Sequence, residues 1–138
     1  MPDSKFRTIH EIVKAARLNL NQTHWDYLIG GTETETTLKR NRASIDARAL
    51  RPKVLNDVSN IDTRVEFMGK QMQLPVILAP IGSLQVFNPE GGAAAAIAAE
   101  QAGIMSIASS VCTPDIEAIA DASNSAKIYQ LYVRGDEH

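Results

Sequence analysis

The fold of this chain follows from residues 75–133, which read PVILAPIGSLQVFNPEGGAAAAIAAEQAGIMSIASSVCTPDIEAIADASNSAKIYQLYV. Three short runs within this stretch, at 76–79, 104–108 and 127–133, are almost entirely apolar. Continuous apolar runs of this length are typical of strands that are buried on both faces of a sheet. The stretch therefore predicts three strands.

Two helices are predicted between these strands. Asn88 is a suitable N-cap for the first helix, and Gly103 follows its end. The alanine-rich body of this helix is small enough to pack close against a sheet. The Thr-Pro-Asp segment at 113–115 begins the second helix in the same way. Strands that alternate with helices form βαβ units, so the sheet is expected to be parallel.

The residues before 75 predict a different organisation. Thr8 and Glu11 have the spacing of a capping box, in which each side chain hydrogen-bonds to the other residue's backbone N–H. They predict a first helix, and two further helices are expected at 23–29 and 34–43. The segment 65–74 has short β-prone runs on both sides of Gly69, which predicts a small hairpin.

Three βα units are fewer than a closed parallel barrel needs. A TIM barrel has eight strands and takes about 250 residues, whereas this chain has 138. We therefore predict an α/β fold that begins with an N-terminal helical and extended segment (1–64). A β-hairpin at the bottom of the barrel (65–74) and the first three strands of a TIM barrel (75–138) follow. The C-terminal remainder of the barrel is expected as a second chain or a missing segment.

The overall composition is that of a globular protein, with 44% hydrophobic and 22% charged residues. A net charge of −2 gives no reason to expect a nucleic-acid partner. Cys112 is the only cysteine, so an internal disulfide is impossible. The chain shows no signal peptide and no apolar stretch near the roughly 20 residues of a membrane span. We expect a cytoplasmic protein, and the histidines have no neighbouring ligand set that predicts a metal site.

Two candidate binding segments follow the first two predicted strands. Ligands of barrel enzymes bind at the carboxyl ends of the strands. Ala79, Pro80, Ile81 and Gly82 could present backbone to a flat ligand there, and the alternative is a plain βα turn. Ser109 and Ser110 could donate to a polar ligand edge, and the alternative is a loop or helix-capping role.

Gln130 is the strongest candidate from the residues alone. It lies in an otherwise apolar predicted strand, two residues before Tyr132, so both side chains should point to the same face. A buried amide without partners costs about 1–3 kcal/mol, so something should pair with it. A heterocycle with imide-like donors and acceptors would do so. The alternative is a core glutamine that bonds to a neighbouring strand.

Several motifs, taken in order, carry a family resemblance. From about residue 9 to residue 133 the chain is similar to the N-terminal part of the FMN-dependent α-hydroxy-acid oxidases and dehydrogenases, a family that includes glycolate oxidase, lactate oxidase, lactate 2-monooxygenase and mandelate dehydrogenase. The motifs that carry the resemblance are Asp26-Tyr27 with Gly31, Thr37-Leu38 with Asn41-Arg42, Arg51-Pro52-Lys53-Val54-Leu55 with Asp57-Val58-Ser59, Leu74-Pro75 with Ala79-Pro80, Pro89-Glu90-Gly91, and Gln130-Leu131-Tyr132-Val133.

The resemblance implies a role for each matching residue. Tyr27 and Tyr132 match substrate-binding tyrosines, and Tyr132 is the catalytic candidate near the substrate hydroxyl. Val111 replaces a tryptophan of glycolate oxidase, which implies a wider substrate pocket. The residues expected to bind FMN are Ala79, Pro80, Ile81, Gly82, Ser109 and Gln130.

The resemblance also implies an activity, the FMN-dependent oxidation of an (S)-2-hydroxy acid such as lactate to a 2-oxo acid. The family's catalytic histidine, its carboxylate-binding arginines and its phosphate-binding loops have no match in this chain. The activity is therefore expected only when the C-terminal half completes the barrel, as a homo-oligomer that the resemblance implies is a tetramer. The alternative is a non-catalytic half-barrel that acts as an assembly or interaction module.

Overall fold

A computed structural model describes residues 5–135 of the chain. The chain divides into two compact units, Met1–Asp57 and Val58–His138. We call them the N-terminal unit and the sheet unit, and we describe each by itself.

The N-terminal unit contains three helices: α1 (Ile9–Asn19), α2 (Gln22–Ile29) and α3 (Thr36–Asp46). The predicted capping box of α1 is confirmed, because the Thr8 side chain accepts a hydrogen bond from the Glu11 N–H while the Glu11 carboxylate accepts from the Thr8 N–H. Asn21 caps α2 by accepting from the His24 N–H at 2.9 Å. The structure places α3 a few residues later than the predicted 34–43.

The sheet unit begins with an antiparallel hairpin. Its strands are β1 (Val65–Phe67) and β2 (Lys70–Met72), and Gly69 adopts a positive φ of 70° in the turn between them. The Gln73 N–H donates to the Gly103 carbonyl at 2.8 Å, which ties the end of the hairpin to the residue after the next helix. The hairpin therefore lies beside the amino-terminal end of the strand that begins at Met105.

The predicted parallel sheet follows the hairpin. Its strands are β3 (Ile77–Leu78), β4 (Met105–Ser109) and β5 (Lys127–Gln130), and they neighbour one another in chain order. The helices α4 (Gly91–Ala102) and α5 (Ile116–Asp121) connect them. The register pairs Ile77 with Met105, and it pairs Ser109 with Gln130.

The core of the sheet unit lies between the helices and one face of the sheet. Ala96 of α4, Ala108 of β4 and Ile119 of α5 form a buried cluster. The alanines have no side-chain bulk beyond Cβ, so the helix and the strand can approach closely. Because side chains alternate along a strand, Ser109 lies on the opposite face of the sheet from Ala108. Its register partner Gln130 shares that face.

In the sheet unit, the predicted end of the third strand and the predicted start of the first helix are wrong. The third strand ends at Gln130 and not at residue 133, because the pairing with β4 stops at the rung between Ser109 and Gln130. Helix α4 begins at Gly91, so Asn88 is not its N-cap. The Asn88 side chain instead accepts a hydrogen bond from the Glu90 N–H at 2.9 Å, which makes a turn before the helix.

The outer edge of β5 leads to a prediction. Within residues 5–135, β4 is the only strand that pairs with β5, and residues 131–133 after it are exposed and mostly apolar, with Val133 90% exposed. Exposed apolar strand edges promote association between chains. We expect the 138-residue chain, produced by itself, to elute above its monomer mass in size-exclusion chromatography with light scattering at micromolar concentration.

A lysine at the edge should oppose this association. Val133→Lys should lower the associated fraction, whereas Val54→Lys, at an 82% exposed valine of the N-terminal unit, should leave it unchanged. A folded, monodisperse monomer of the unchanged chain would contradict the prediction.

Candidate active site

The candidate site lies at the carboxyl ends of the three parallel strands. Since all three strands run in the same direction, the residues that follow them meet at one edge of the sheet. We call this edge the rim and define it as residues 79–83, 109–111 and 130–132. Every candidate residue of the sheet unit belongs to the rim.

Hydrogen bonds join the three segments of the rim. The Ser83 N–H donates to the Val111 carbonyl at 3.0 Å, which links the segments after β3 and β4. The Ser110 N–H donates to the Gln130 carbonyl at 3.0 Å, which links the segments after β4 and β5. The structure thus brings together residues that are distant in the sequence.

The segment after β3 contains the predicted backbone platform. Ala79 and Ile81 are exposed, whereas Pro80 and Gly82 are half-buried. A Cβ on Gly82 would lie 2.7 Å from Cγ2 of Val111, which is closer than real Cβ atoms come to a neighbour. The Val111 side chain therefore occupies the space beside Gly82.

Ser109 is the most buried of the candidate residues, with 5% of its surface exposed. Its Oγ accepts from the Val111 N–H at 3.4 Å, and its carbonyl accepts from the Cys112 N–H at 3.2 Å. These bonds turn the chain sharply after β4. The Ser109 hydroxyl can also donate a hydrogen bond, and Ser109 shares a face of the sheet with Gln130.

Gln130 carries an unpaired polar atom. Its Oε1 is buried and has no hydrogen-bond partner among the described residues. Within residues 5–135, this oxygen does not make the bond to a neighbouring strand that the alternative of a core glutamine predicts. A buried polar atom without a partner costs about 1–3 kcal/mol. The side chain therefore fits a ligand that donates a hydrogen bond, as the imide N–H of a flavin does.

Tyr132 lies just beyond β5. The prediction that it shares a strand with Gln130 is wrong, since the strand ends at Gln130. Its N–H nevertheless donates to the Ser110 Oγ at 3.2 Å, and the Arg134 guanidinium lies 5.8 Å from the centre of its ring. Tyr132 is 51% exposed.

Tyr27, the other predicted substrate-binding tyrosine, lies on α2 of the N-terminal unit and is 65% exposed. This unit is distinct from the sheet unit, which contains the rim. Its role in substrate binding therefore stays a prediction.

The rim itself carries no charged side chain. The ion pair found among the described residues of the sheet unit joins Asp62 and Arg64, before the hairpin. Hydrogen bonds from the Arg64 side chain and backbone lower the pKa of Asp62 to about 2. Neutral amide, hydroxyl and backbone groups can seat a flat heterocycle, but they cannot neutralise a carboxylate or act as a strong base at neutral pH. Charged groups for those tasks must come from outside the rim.

The Gly91-Gly92 pair at the start of α4 does not form a phosphate-binding loop. The Gly91 N–H donates to the Asn88 carbonyl at 2.8 Å, and the Gly92 N–H donates to the Thr113 carbonyl at 2.9 Å. Both N–H groups are thus used within the protein. The glycines instead allow close packing between the start of α4 and the loop before α5.

Residues 5–135 contain neither a metal-binding cluster nor a membrane-spanning helix. Across residues 5–135, no cluster of three or more His, Cys, Asp or Glu side chains is arranged to hold a metal ion. No helix in the same range is long and apolar enough to cross a membrane.

Comparisons with curated proteins find 2-hydroxy-acid enzymes. The chain is 37% identical over 133 residues to a peroxisomal (S)-2-hydroxy-acid oxidase of Oryza sativa, which covers 96% of this chain and 36% of the relative. It is 35% identical to an L-lactate oxidase of Nostoc, over 93% of this chain and 36% of the relative. The chain therefore spans about a third of the length of these relatives.

Comparisons with solved structures agree. The chain superimposes on the (S)-mandelate dehydrogenase of Pseudomonas putida, described as membrane-associated, with a TM-score of 0.84 and 34% identity over 90% of this chain and 36% of that one. A mandelate oxidase bound to (S)-2-phenylpropionate gives a TM-score of 0.89 and 30% identity, over 96% of this chain and 39% of the other. These neighbours are FMN-dependent TIM-barrel enzymes.

The model of the family named FMN-dependent dehydrogenase matches residues 16–138. This match covers most of the chain, and the family's cofactor is FMN. Three features are consistent with that cofactor: the parallel sheet, the hydrogen bonds between the rim segments and the unpaired Oε1 of Gln130. The chain belongs to the FMN-dependent dehydrogenase family.

Proposed function

We propose that the whole protein oxidises an (S)-2-hydroxy acid to a 2-oxo acid with FMN as cofactor. FMN, when bound, accepts the two electrons that leave the substrate. This oxidation also removes the proton of the hydroxyl group and the hydrogen of the α-carbon. The rim of this chain seats the cofactor, and residues outside the rim supply the charges that bind the carboxylate and accept the proton.

The unpaired Oε1 of Gln130 carries this proposal. It shares a face of the sheet with Ser109, away from the helices, and the two residues are register partners. A flavin pyrimidine edge offers the donors and acceptors that an amide and a hydroxyl can match. In this proposal Gln130 and Ser109 bond to that edge, while the backbone from Ala79 to Gly82 lies against the ring.

Two aromatic residues and one valine have proposed roles on the substrate side. Tyr132 contacts the substrate near its hydroxyl, Tyr27 helps to hold the carboxylate, and Val111 lines the pocket for the substrate side chain. The support is the motif match for each residue, together with the exposure of both tyrosines.

The proposed architecture is a TIM barrel of which β3, β4 and β5 are the first three strands. In this proposal residues 1–64 precede the barrel, residues 65–74 lie at its bottom, and residues 75–138 begin it. Support comes from the parallel order of the strands and from the hairpin beside the amino-terminal end of β4. A second chain that completes the barrel, a tetrameric state and a cytoplasmic location stay predictions.

Replacement of Gln130 tests the proposal. Gln130→Leu in the whole protein should weaken FMN binding about 5- to 30-fold, because hydrogen bonds to the cofactor worth about 1–2 kcal/mol are lost. The unfolding temperature of the apoprotein should change little, since leucine removes an unpaired buried oxygen. Flavin fluorescence titration and thermal unfolding of the apoprotein measure the two effects.

Gln101→Leu serves as the matched control, because Gln101 is an exposed residue of α4. It should leave FMN affinity unchanged. If Gln130→Leu lowers apoprotein stability while FMN affinity stays the same, Gln130 is a core residue and the proposed contact is wrong. A whole protein that binds no FMN and oxidises no 2-hydroxy acid would instead support the assembly-module alternative.

A further inference from the structure

Ser110 connects the rim segments after β4 and β5 through two different groups. Its backbone N–H donates to the Gln130 carbonyl at 3.0 Å. Its Oγ accepts from the Tyr132 N–H at 3.2 Å. One residue thus bonds to the backbone on both sides of Leu131.

This pair of bonds resembles one further rung of the parallel sheet. In a regular rung, a residue donates its N–H to one residue of the neighbouring strand, and its carbonyl accepts from the residue two positions later. Ser110 makes the first bond with its backbone and the second with its hydroxyl. The Cys112 N–H bonds to the Ser109 carbonyl at 3.2 Å, so the chain already turns at this point. The hydroxyl takes the place of a backbone acceptor that the turn has moved.

The bond to the Ser110 hydroxyl affects the position of Tyr132. Regular pairing ends at Gln130, and the side chain of Tyr132 is half-exposed. The bond from Ser110 fixes the Tyr132 backbone where a strand residue would lie. Among residues 5–135, the Ser110 hydroxyl is the group that bonds to the Tyr132 N–H, and it thereby helps to set the position of Tyr132 relative to Gln130.

We infer that Ser110 is a positioning residue that holds Tyr132 in place relative to Gln130. This inference rests on the proposed function only for its effect on turnover. Misplacement of a substrate-contacting group by about 1 Å can lower a rate by about 100-fold. Because the bond is partly exposed to water, a smaller loss in kcat is expected here, of about 5- to 20-fold.

The first test is independent of catalysis. Amide hydrogen exchange is followed by mass spectrometry in the whole protein, with and without FMN, for the peptide that contains residues 131–133. Ser110→Ala should speed exchange at the Tyr132 amide about 2- to 10-fold, because an ordinary hydrogen bond protects by that amount. Ser110→Thr keeps the hydroxyl and should restore protection.

Ser123→Ala is the matched control. The Ser123 Oγ also accepts a backbone N–H two residues away, from Ser125 at 3.1 Å, but it lies before β5 at the opposite end of the strand. This variant should leave exchange at 131–133 and kcat unchanged. Unaltered exchange at Tyr132 in Ser110→Ala would overturn the inference.

The second test measures kcat, KM and FMN affinity with (S)-mandelate and L-lactate as substrates. Ser110→Ala should lower kcat about 5- to 20-fold while FMN affinity stays within twofold, and Ser110→Thr should recover most of the rate. A main effect on FMN affinity or on unfolding temperature would assign Ser110 a structural role and overturn the inference. If the unchanged protein oxidises neither acid, the proposed function fails at this step, while the exchange experiment still decides the role of Ser110.

Discussion

Gly91→Ala should destabilise the protein by about 3–5 kcal/mol, the largest effect that we expect from a single substitution. Gly91 is buried and has a φ of 52°, in the left-handed region. A Cβ at this position would lie 1.9 Å from the Thr113 carbonyl oxygen. That oxygen accepts the Gly92 N–H, so relief of the overlap also breaks a hydrogen bond at the start of α4. Denaturant unfolding of the whole protein measures the change.

Gly69→Ala separates the strain of a positive φ from the steric overlap of the added Cβ. Gly69 also has a positive φ, of 70°, but no atom lies within 4 Å of the Cβ that alanine would add. This control should therefore cost only the backbone strain, about 1–2 kcal/mol. Equal losses for the two variants would show that the Thr113 contact contributes nothing. If Gly91→Ala yields no soluble protein while Gly69→Ala does, the order of the two effects is established without an unfolding curve.

Val111→Trp should change substrate preference in favour of small acids. Val111 lines the rim beside Gly82 and fills the space next to it. An indole ring at this position would take volume that the side chain of a large 2-hydroxy acid needs. One apolar group in a pocket changes kcat/KM by about 10- to 200-fold. We expect the ratio of kcat/KM for (S)-mandelate to that for glycolate to fall by a factor in this range.

Val76→Trp provides the control, because Val76 is exposed and precedes β3 at the opposite end of the strand from the rim. It should keep the ranking of glycolate, lactate and mandelate. If glycolate is the best substrate of the unchanged protein, or if Val111→Trp leaves the ranking as it is, Val111 does not determine specificity.

The close contact between Gly82 and Val111 also predicts coupling between the two positions. Gly82→Ala should impair the protein in the presence of Val111 and do so much less in a Val111→Ala background. A shortened side chain at 111 removes the methyl group that lies 2.7 Å from the added Cβ. Additive effects of the two substitutions on kcat/KM and stability would contradict this coupling.

The order of elements was predictable from local pattern, whereas their ends were not. Apolar runs and caps located all three strands of the sheet and both of its helices. The end of β5 depends on where β4 turns away, and residues 131–133 are as apolar as the strand before them. Local composition therefore predicted a strand that is too long. The first residue of α4 likewise depends on the contact of Gly91 with Thr113, which is distant in the sequence.

The candidate site was likewise predictable only in part. The inward amide of Gln130 was predictable, because a polar residue in an apolar run needs a partner. The role of the Ser110 hydroxyl was not, since its partner, the Tyr132 N–H, is 22 positions away and becomes a neighbour only through the strand register. Serine after a strand is common in loops, so the sequence carries no signal that distinguishes this one.

The hydrogen bonds between the rim segments have a consequence for how the protein folds. The described hydrogen bonds between rim segments each join strands that are consecutive in the chain, so none of them needs a residue after Tyr132. Segments that contact near neighbours in sequence close short loops and assemble quickly. During synthesis, the rim, where we propose that the isoalloxazine ring binds, can therefore form as soon as β5 leaves the ribosome.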